Sequence, residues 1–245
     1  MRHETPTRPT SRHCAVPDLT YTPRMREKLP MFPLNSVLFP TMAVPLHIFE
    51  ERYRVLIQGL LAEPDPSSRV FGSVAIREGY EVGEHGKQEL HRIGCRLQIT
   101  EATAHPDGTF DVFTIARDRF RLNSLDTSGP FPIGDVSDLV DDEATVSSDL
   151  AEAATRAFAD YRAVLSAIRA DPQIGPLPRD PGYLAWVLAS AAPLTFPDRQ
   201  SLLEETDPAE RLRMVTELFR NELRAMSVIP SLPATDVART GWSPN

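Results

Sequence analysis

The sequence predicts an α+β protein in which a β-rich half is followed by a helical half. Between residues 29 and 142, short apolar runs rich in β-branched residues alternate with turn residues, as in RVFGSVAIREG at 69–79. From Ser147 onward the apolar residues recur at helical spacing instead. Strands that precede the helices, rather than alternating with them, are typical of α+β folds.

The β-rich half contains one hairpin whose turn is predictable from its residues. Two alternating stretches lie on either side of Pro106-Asp107-Gly108. Proline fixes φ, aspartate bonds to nearby backbone and glycine tolerates a positive φ, so this tripeptide favours a tight turn. A further strand is predicted over 133–140. We interpret the acidic stretch from Asp135 to Glu143 as a solvated linker between the halves, with a site for a cation or a basic partner as the alternative.

Four helices are predicted in the second half. The first runs through SSDLAEAATRAFADYRAVLSAIRA, which has one apolar stripe. Asp180-Pro181 is a typical helix start, with aspartate as the N-cap and proline at the first helical position. A third helix begins at Pro197-Asp198 and continues to Leu203. The fourth begins at Asp207-Pro208, and Glu210 completes an arrangement close to a capping box.

Four prolines interrupt the apolar stretch LPMFPLNSVLFPTMAVPLHIFEERYRVLIQGLL at 29–61. Proline lacks a backbone donor and favours an extended residue before it, so we predict short extended segments at the edge of a barrel. A helix should follow, and its core-facing side is expected to contain Phe49, Tyr53, Leu56, Ile57, Leu60 and Leu61. Glu50 and Arg52 are expected to form an internal ion pair with Arg119.

Composition limits the classes of function. The 245-residue chain has a formal net charge of −8 and a pI of about 5.3, which argues against nucleic-acid binding. No apolar run is long enough for a membrane span, and the N-terminus lacks the apolar core of a secretory signal, so we predict a cytoplasmic protein. Cys14 and Cys95 have no metal-binding spacing, so neither a disulfide nor a zinc site is expected. No cofactor is predicted.

The residues give little support to catalysis. A Ser-Lys dyad needs a buried lysine, whereas Lys28 borders a polar segment and Lys87 lies in a glycine-bearing loop. The glycine-lysine pair at 86–87 is not followed by serine or threonine, so no P-loop is present, and no GxSxG elbow occurs. His47 and Glu50 have an HxxE spacing. We interpret them as packing, hydrogen-bonding or capping residues, with a metal site as the alternative.

The proline-rich stretch resembles the opening of the Lon protease N-terminal domain family. The similarity continues in Arg92-Ile93-Gly94-Cys95, in the Pro106-Asp107-Gly108 turn and in ARDRFR at 116–121, and it covers about residues 28–227. It implies a PUA-like β pseudo-barrel followed by an α-helical bundle. Thr41 stands where many members have glycine, so a less sharp turn is expected there. The sequence contains neither the ATPase nor the protease domain of Lon, so we expect a stand-alone member.

The resemblance and the residue pattern together give the domain organisation. We predict a disordered tail at 1–27, a PUA-like barrel at 28–143, a helical bundle at 144–230 and a flexible tail at 231–245. Family-signature residues, expected to be mainly structural, are Pro33, Leu34, Phe39, Pro40, Pro45, Leu46, Phe49, Glu50, Arg52, Tyr53, Gly94, Asp107, Gly108, Arg119 and Phe120.

The leading functional hypothesis is a non-catalytic module that recognises polypeptide segments or protein partners and is linked to proteolysis or protein quality control. Its partners would be protein or peptide clients, with an ATP-dependent protease among the candidates, bound in a cleft between barrel and bundle. Tyr80 and Val82, apolar residues in a polar loop, are candidate partner-binding residues. Two alternatives stay open: a small-molecule-binding regulatory domain and an uncharacterised hydrolase.

Overall fold

The computed structural model describes residues 26–78, 89–166, 177–192 and 194–228 and confirms the α+β class. The strands are β1 (Glu27–Pro30), β2 (Ala43–Ile48), β3 (Val70–Glu78), β4 (Glu89–Ala104), β5 (Phe110–Asp126) and β6 (Ile133–Asp138). The helices are α1 (Glu51–Leu61), α2 (Ser148–Ser166), α3 (Pro181–Ala191), α4 (Phe196–Glu204) and α5 (Pro208–Val228). None of the helices described here has the length and apolar character needed to cross a membrane.

The sheet curls into a pseudo-barrel because its two ends meet. Its hydrogen-bonded order is β1-β6-β5-β4-β3, with antiparallel neighbours. The segment after β1 then returns to β3 through parallel bridges from Met31 to Gly72 and from Leu34 to Ala75. The amide of Phe32 donates to the carbonyl of Gly72 at 2.8 Å. Strand β2 lies off this path and pairs with the first half of β5, so it is an added strand outside the ring.

The predicted hairpin between β4 and β5 is confirmed. Gly108 has a φ of +84°, the left-handed conformation that glycine adopts readily. The side chain of Asp107 accepts hydrogen bonds from the amide of Thr109 at 3.0 Å and from its hydroxyl at 2.8 Å. The bond from the Thr109 amide contributes most to holding the pKa of Asp107 below its usual value, and the hydroxyl bond adds to the effect. The turn residues therefore act as their chemistry predicts.

The turn before β2 is built on Thr41 in a conformation that favours glycine. Thr41 has a φ of 75°, which a residue with a branched Cβ rarely adopts. Its amide donates to the carbonyl of Ala116 at 2.8 Å and so holds the start of β2 against β5. Thr41 therefore occupies this turn with a strained backbone, and the expectation of a less sharp turn stays a prediction.

Replacing Thr41 with glycine is expected to stabilise the protein by about 1 kcal/mol, because glycine relieves the Cβ clash of the left-handed conformation. Urea unfolding of the variant and the wild type measures the effect. Thr41→Ala is the matched control, since alanine keeps a Cβ and should gain less. Equal midpoints for the glycine and alanine variants would contradict the assignment of strain to Thr41.

The helix starts confirm the predicted N-caps at Asp180 and Asp207. The capping side chains are Asp180, Thr195 and Asp207, and each accepts a hydrogen bond from an amide in the first turn of its helix. The expected capping box at α5 is wrong. Glu210 pairs with Arg213 at 2.9 Å, and the amide of Asp207 donates to the carboxylate of Glu205 instead.

One large core joins the barrel to the helices. Phe39, in the segment between β1 and β2, stacks on Trp186 of α3 with ring centroids 5.7 Å apart. The guanidinium of Arg199 in α4 donates to the carbonyl of Val37 at 2.8 Å and lies 4.6 Å from the Phe39 ring centroid. A smaller core lies among β1, β3, β5 and β6. The two halves therefore share a continuous packed interior.

Candidate functional site

One side of the paired strands β2 and β5 is exposed and carries apolar side chains. Cross-strand partners share a face of a sheet, and three such pairs lie here: Ala43–Ile115, Pro45–Phe113 and His47–Asp111. Phe49 follows β2, and its ring stacks on that of His47 with centroids 6.2 Å apart. We call these seven residues the β2–β5 face.

The large apolar side chains of the β2–β5 face lie in solvent. Phe113 is 51% exposed and Phe49 is 49% exposed. The alternate residues of β5, Val112 and Thr114, are almost fully buried on the other side of the sheet. Burying a phenylalanine stabilises a protein by about 1.5–3 kcal/mol. Phe113 also has exposed Ile115 and Pro45 beside it on this face, and such a group of apolar side chains left in water favours a surface that a partner covers.

A carboxylate held between two histidines lies on the β2–β5 face between Phe113 and Phe49. Nδ1 of His47 lies 2.7 Å from Oδ1 of Asp111, and Nε2 of His105 lies 2.8 Å from Oδ2. The hydrogen bond of His47 contributes most to holding the pKa of Asp111 below its usual value, and that of His105 adds to the effect. No group of three potential ligands in the described ranges could hold a metal ion. His47 thus hydrogen-bonds, as interpreted from the sequence, and Glu50 pairs with Arg52 at 2.7 Å.

A buried charge cluster joins the barrel to the helices. Arg119 of β5 and Arg211 of α5 both donate to the carboxylate of Asp141. Arg119 is 4% exposed and Arg211 is 0% exposed. Their guanidinium carbons lie 5.2 Å and 3.8 Å from the ring centroid of Trp186. We call these four residues the Asp141 clamp, and its burial indicates a structural role.

The expected ion pair between Glu50 and Arg119 is wrong. Arg119 also donates to the carbonyls of Leu203 and Glu205, at 2.6 Å and 2.7 Å, so its guanidinium faces the helical half. Burial lowers the pKa of Arg119 to about 10, and Asp141 opposes this shift. Glu50 lies at the start of α1, where burial raises its pKa and Arg52 lowers it.

The acidic stretch is also more than the solvated linker that the sequence suggested. Asp138 accepts a hydrogen bond from Arg96 at 2.7 Å, and Asp141 belongs to the clamp. The same Arg96 donates to Glu27 at 2.6 Å. Glu27 lies in the predicted disordered tail, but it is the first residue of β1 and is fixed by this ion pair. The expectations for Glu27 and for the acidic stretch fail for the same reason. Arginines that are distant in the sequence form ion pairs with these carboxylates and make them part of the folded structure.

The boundary between barrel and helices is packed around the Asp141 clamp and the Phe39–Trp186 stack. A binding cleft elsewhere along this boundary stays a prediction. A groove of about 380 Å³ lies elsewhere, between α4 and α5, and Met214, Leu218, Asp198 and Glu217 contribute to its lining. The β2–β5 face and this groove are thus the candidate binding surfaces.

Cys95 is a buried structural thiol. Its side chain is 0% exposed, and Sγ donates to the carbonyl of Leu38 at 3.3 Å. Burial raises the pKa of the Cys95 thiol to about 12, so the reactive thiolate is suppressed at neutral pH. Cys14 lies outside the described residues, as do the candidate binding residues Tyr80 and Val82.

Residues 28–221 match the family described as the ATP-dependent protease La (LON) substrate-binding domain. The chain belongs to this family. The match includes β2 to β6, all of β1 except Glu27, α1 to α4 and most of α5. Membership also agrees with the barrel-then-helices order, which the sequence resemblance implied.

Several Lon proteases are similar to this chain. Lon protease 2 of Herpetosiphon aurantiacus is 30% identical over 207 residues, which are 82% of this chain and 24% of the relative. Lon protease 1 of Bacillus subtilis is 23% identical over 210 residues, which are 83% of this chain and 26% of the relative. The chain therefore spans about a quarter of the length of these relatives.

Two solved Lon N-terminal domains share the fold. The Lon N-terminal domain protein from Xanthomonas campestris has a TM-score of 0.57 and 24% identity, with 78% of this chain and 98% of that chain covered. The N-terminal domain of the Mycobacterium avium complex Lon protease has a TM-score of 0.55 and 17% identity, with 80% and 99% covered.

The residues that carry the Lon-family resemblance differ in burial. Leu46, Glu50, Arg52 and Gly108 are half-buried, and Asp107 is exposed in its turn. The buried group consists of Pro33, Leu34, Phe39, Pro40, Tyr53, Gly94, Arg119 and Phe120. Pro45 and Phe49 are instead exposed and belong to the β2–β5 face. The expectation that Phe49 packs with the apolar stripe of α1 is wrong, because α1 begins at Glu51 and Phe49 precedes it.

Proposed function

We propose that this protein binds exposed apolar segments of polypeptides on the β2–β5 face and acts by binding alone. The observation that carries the proposal is the exposure of the neighbouring residues Pro45, Phe113 and Ile115 on one face, with exposed Phe49 beyond His47. Unfolded chains present apolar side chains that a folded protein buries, and covering them against this face removes both surfaces from water. The family's description as a substrate-binding domain supports a binding role linked to Lon proteolysis.

The described nucleophiles and bases support binding without catalysis. The side chain of Lys28 is 68% exposed and lies 3.8 Å from Asp135, so it lacks the burial that activates a catalytic lysine. His47 and His105 contact Asp111, and His91 packs on Phe196. None of these three histidines hydrogen-bonds to a serine, threonine or cysteine side chain among the described residues. A reproducible turnover that a single substitution abolishes would contradict this part of the proposal.

Phe113→Ser is expected to weaken polypeptide binding about tenfold, since a central apolar anchor is truncated. Fluorescence anisotropy of a labelled, reduced and carboxymethylated polypeptide that cannot refold measures the affinity. Tyr183→Ser is the matched control, because Tyr183 is 50% exposed but lies on α3, in the helical half. Unchanged binding by the Phe113 variant, or an equal loss in the Tyr183 variant, would contradict the β2–β5 face as the site.

The link to Lon proteolysis has a separate test. Purified Lon protease degrades the same labelled polypeptide with and without a saturating amount of this protein. We expect the degradation rate to change, upward if the client is delivered and downward if it is withheld. Phe113→Ser should remove either effect, because both require the client to be bound. An unchanged rate would contradict the proposed connection to the protease.

A small-molecule-binding regulatory role is the second candidate, and the α4–α5 groove is the observation that favours it. Its volume of about 380 Å³ falls within the range of small-ligand sites. A thermal-shift screen of the wild type and of Met214→Trp, which fills the groove, tests this role. A compound that stabilises only the wild type would favour it, whereas equal shifts in both proteins would exclude the groove as its site.

A further inference from the structure

We propose that a client binds as an added β-strand along the outer edge of β2, so that the preferred substrate is an extended segment with apolar residues at alternate positions. The inference rests on the proposed function and specifies how the β2–β5 face holds its client. It follows from the backbone of β2, whereas the apolar side chains alone would accept a segment of any conformation.

The pairing of β2 shows which of its backbone groups point away from β5. The amide of Ala116 donates to the carbonyl of Met42 at 2.8 Å, so the carbonyl of Met42 faces β5. Facing and outward residues alternate along an antiparallel ladder. Val44, Leu46 and Ile48 therefore face β5, whereas Ala43, Pro45 and His47 direct their backbone groups outward. Pro45, which has no N–H to give, lies at a position where β5 requires none.

No described segment of the chain pairs with this outer edge. Strand β2 has extensive contacts with β5 alone among the described elements. No backbone hydrogen bond joins Ala43, Pro45 or His47 to another described segment. A free strand edge is a template for a further strand, with main-chain hydrogen bonds supplying affinity and alternate side chains supplying specificity.

A strand added at this edge would extend the β2–β5 face. Its residues opposite Ala43, Pro45 and His47 would direct their N–H and C=O groups toward β2. Their side chains would lie on the same side of the sheet as Phe113 and Ile115, because cross-strand partners share a face. Alternate client residues point to the opposite side. An apolar-polar alternation therefore places every apolar client side chain next to the exposed apolar residues.

Pro45 limits this pairing at the centre of the edge. Ala43 and His47 offer both a donor and an acceptor, whereas Pro45 offers its carbonyl alone. Proline on an edge strand reduces unwanted strand pairing. Weak, reversible pairing suits a surface that must release its client. Replacing Pro45 with a residue that has an N–H should therefore strengthen binding, although the change removes the apolar surface of the proline ring.

Backbone methylation of the client is the deciding experiment. The probe is a short fluorescein-labelled peptide in which valine and serine alternate. N-methylation of the valines blocks the N–H groups that would face β2 and should weaken binding more than tenfold. N-methylation of the serines is the matched control, because those nitrogens face away from β2, and it should leave affinity within about twofold. Equal affinities for the two methylated peptides would overturn the strand-addition proposal.

Pro45→Ala provides a second test, in which strand addition predicts tighter rather than weaker binding. The restored N–H should tighten binding of the unmethylated peptide roughly two- to tenfold, the effect of one added hydrogen bond. Contact through side chains alone predicts weaker or unchanged binding, because the proline ring is lost. Weaker or unchanged binding by this variant would therefore overturn the proposal. Thermal unfolding of the variant checks that the measurement is made on folded protein.

The two levels of the proposal fail in different ways. If Phe113→Ser weakens binding while valine and serine methylation act alike, the β2–β5 face stands and strand addition is excluded. If Phe113→Ser has no effect on the peptide or on the unfolded polypeptide, the face itself is excluded.

Discussion

Replacing Asp141 with alanine is expected to lower the free energy of unfolding by about 3–5 kcal/mol, because it leaves two buried guanidinium groups without their carboxylate. Arg119 and Arg211 are almost completely buried, and both donate to Asp141. The pKa of Arg119 is lowered to about 10, so this group stays charged at neutral pH. The carbonyls of Leu203 and Glu205 still accept hydrogen bonds after the change, but they cannot neutralise two charges.

Asp142→Ala is the matched control for this prediction. Asp142 is the adjacent residue, it is exposed, and its carboxylate accepts a hydrogen bond from the hydroxyl of Thr206 at 2.8 Å. Loss of an exposed contact of this kind should change stability by about 1 kcal/mol or less. Urea unfolding of both variants compares them directly. Similar midpoints for the two variants would show that the Asp141 clamp does not hold the barrel to the helices.

Gly94→Ala is expected to destabilise the protein by about 3 kcal/mol or more, at or above the upper end of typical overpacking costs. A Cβ at this position would lie 2.0 Å from the carbonyl oxygen of Ser73 and 2.7 Å from Cγ1 of Val74. Both residues belong to β3, which pairs with β4 at this point. A rotamer change can move the valine methyl group, but only a shift of the strand can move the backbone carbonyl.

Gly59→Ala is the same chemical change at a site without the clash. A Cβ on Gly59 would meet nothing within 4 Å, and the residue lies inside α1. Alanine there should stabilise the protein by roughly 0.5–1 kcal/mol, since glycine is a poor helix former. Thermal unfolding should therefore move in opposite directions for the two variants. A loss of stability at Gly59, or none at Gly94, would contradict the packing described for these glycines.

Local chemistry was sufficient to predict most of the secondary structure. Pro106-Asp107-Gly108 specifies its own turn, and Asp180 and Asp207 cap the helices that follow them. These signals act between neighbours in the chain, so one sequence is enough to identify them. Thr41 is the exception, because the surrounding pairing of β2 with β5 imposes a conformation that its own side chain disfavours.

Long-range ion pairs could not be predicted in the same way. Asp141 meets Arg211 across 70 positions and Arg96 meets Glu27 across 69 positions. Several arginines are available in each half, and a single sequence does not show which of them a carboxylate will reach. The acidic stretch therefore has the composition of a solvated linker, although two of its carboxylates form ion pairs with buried arginines.

The strand that carries the β2–β5 face has a sequence pattern that is easily misinterpreted. FDVFTIA at 110–116 has apolar residues on both faces of a strand. Such a run is typical of a strand buried on both sides, and only the sheet topology shows that Phe113 and Ile115 face solvent. Tyr80 and Val82 have polar neighbours in the sequence, from which exposure on a loop is easy to infer, and they stay a prediction because they lie outside the described residues.

Site-specific crosslinking is the most direct test of the β2–β5 face as the polypeptide-binding site. A photoreactive benzoylphenylalanine replaces Phe113 in one variant and Tyr183 in another, two positions with 51% and 50% exposure. Each variant is irradiated with the labelled unfolded polypeptide, and crosslinked product is quantified. We predict strong crosslinking from position 113 and little from position 183. Equal yields at the two positions, or a higher yield at 183, would contradict polypeptide recognition by the β2–β5 face.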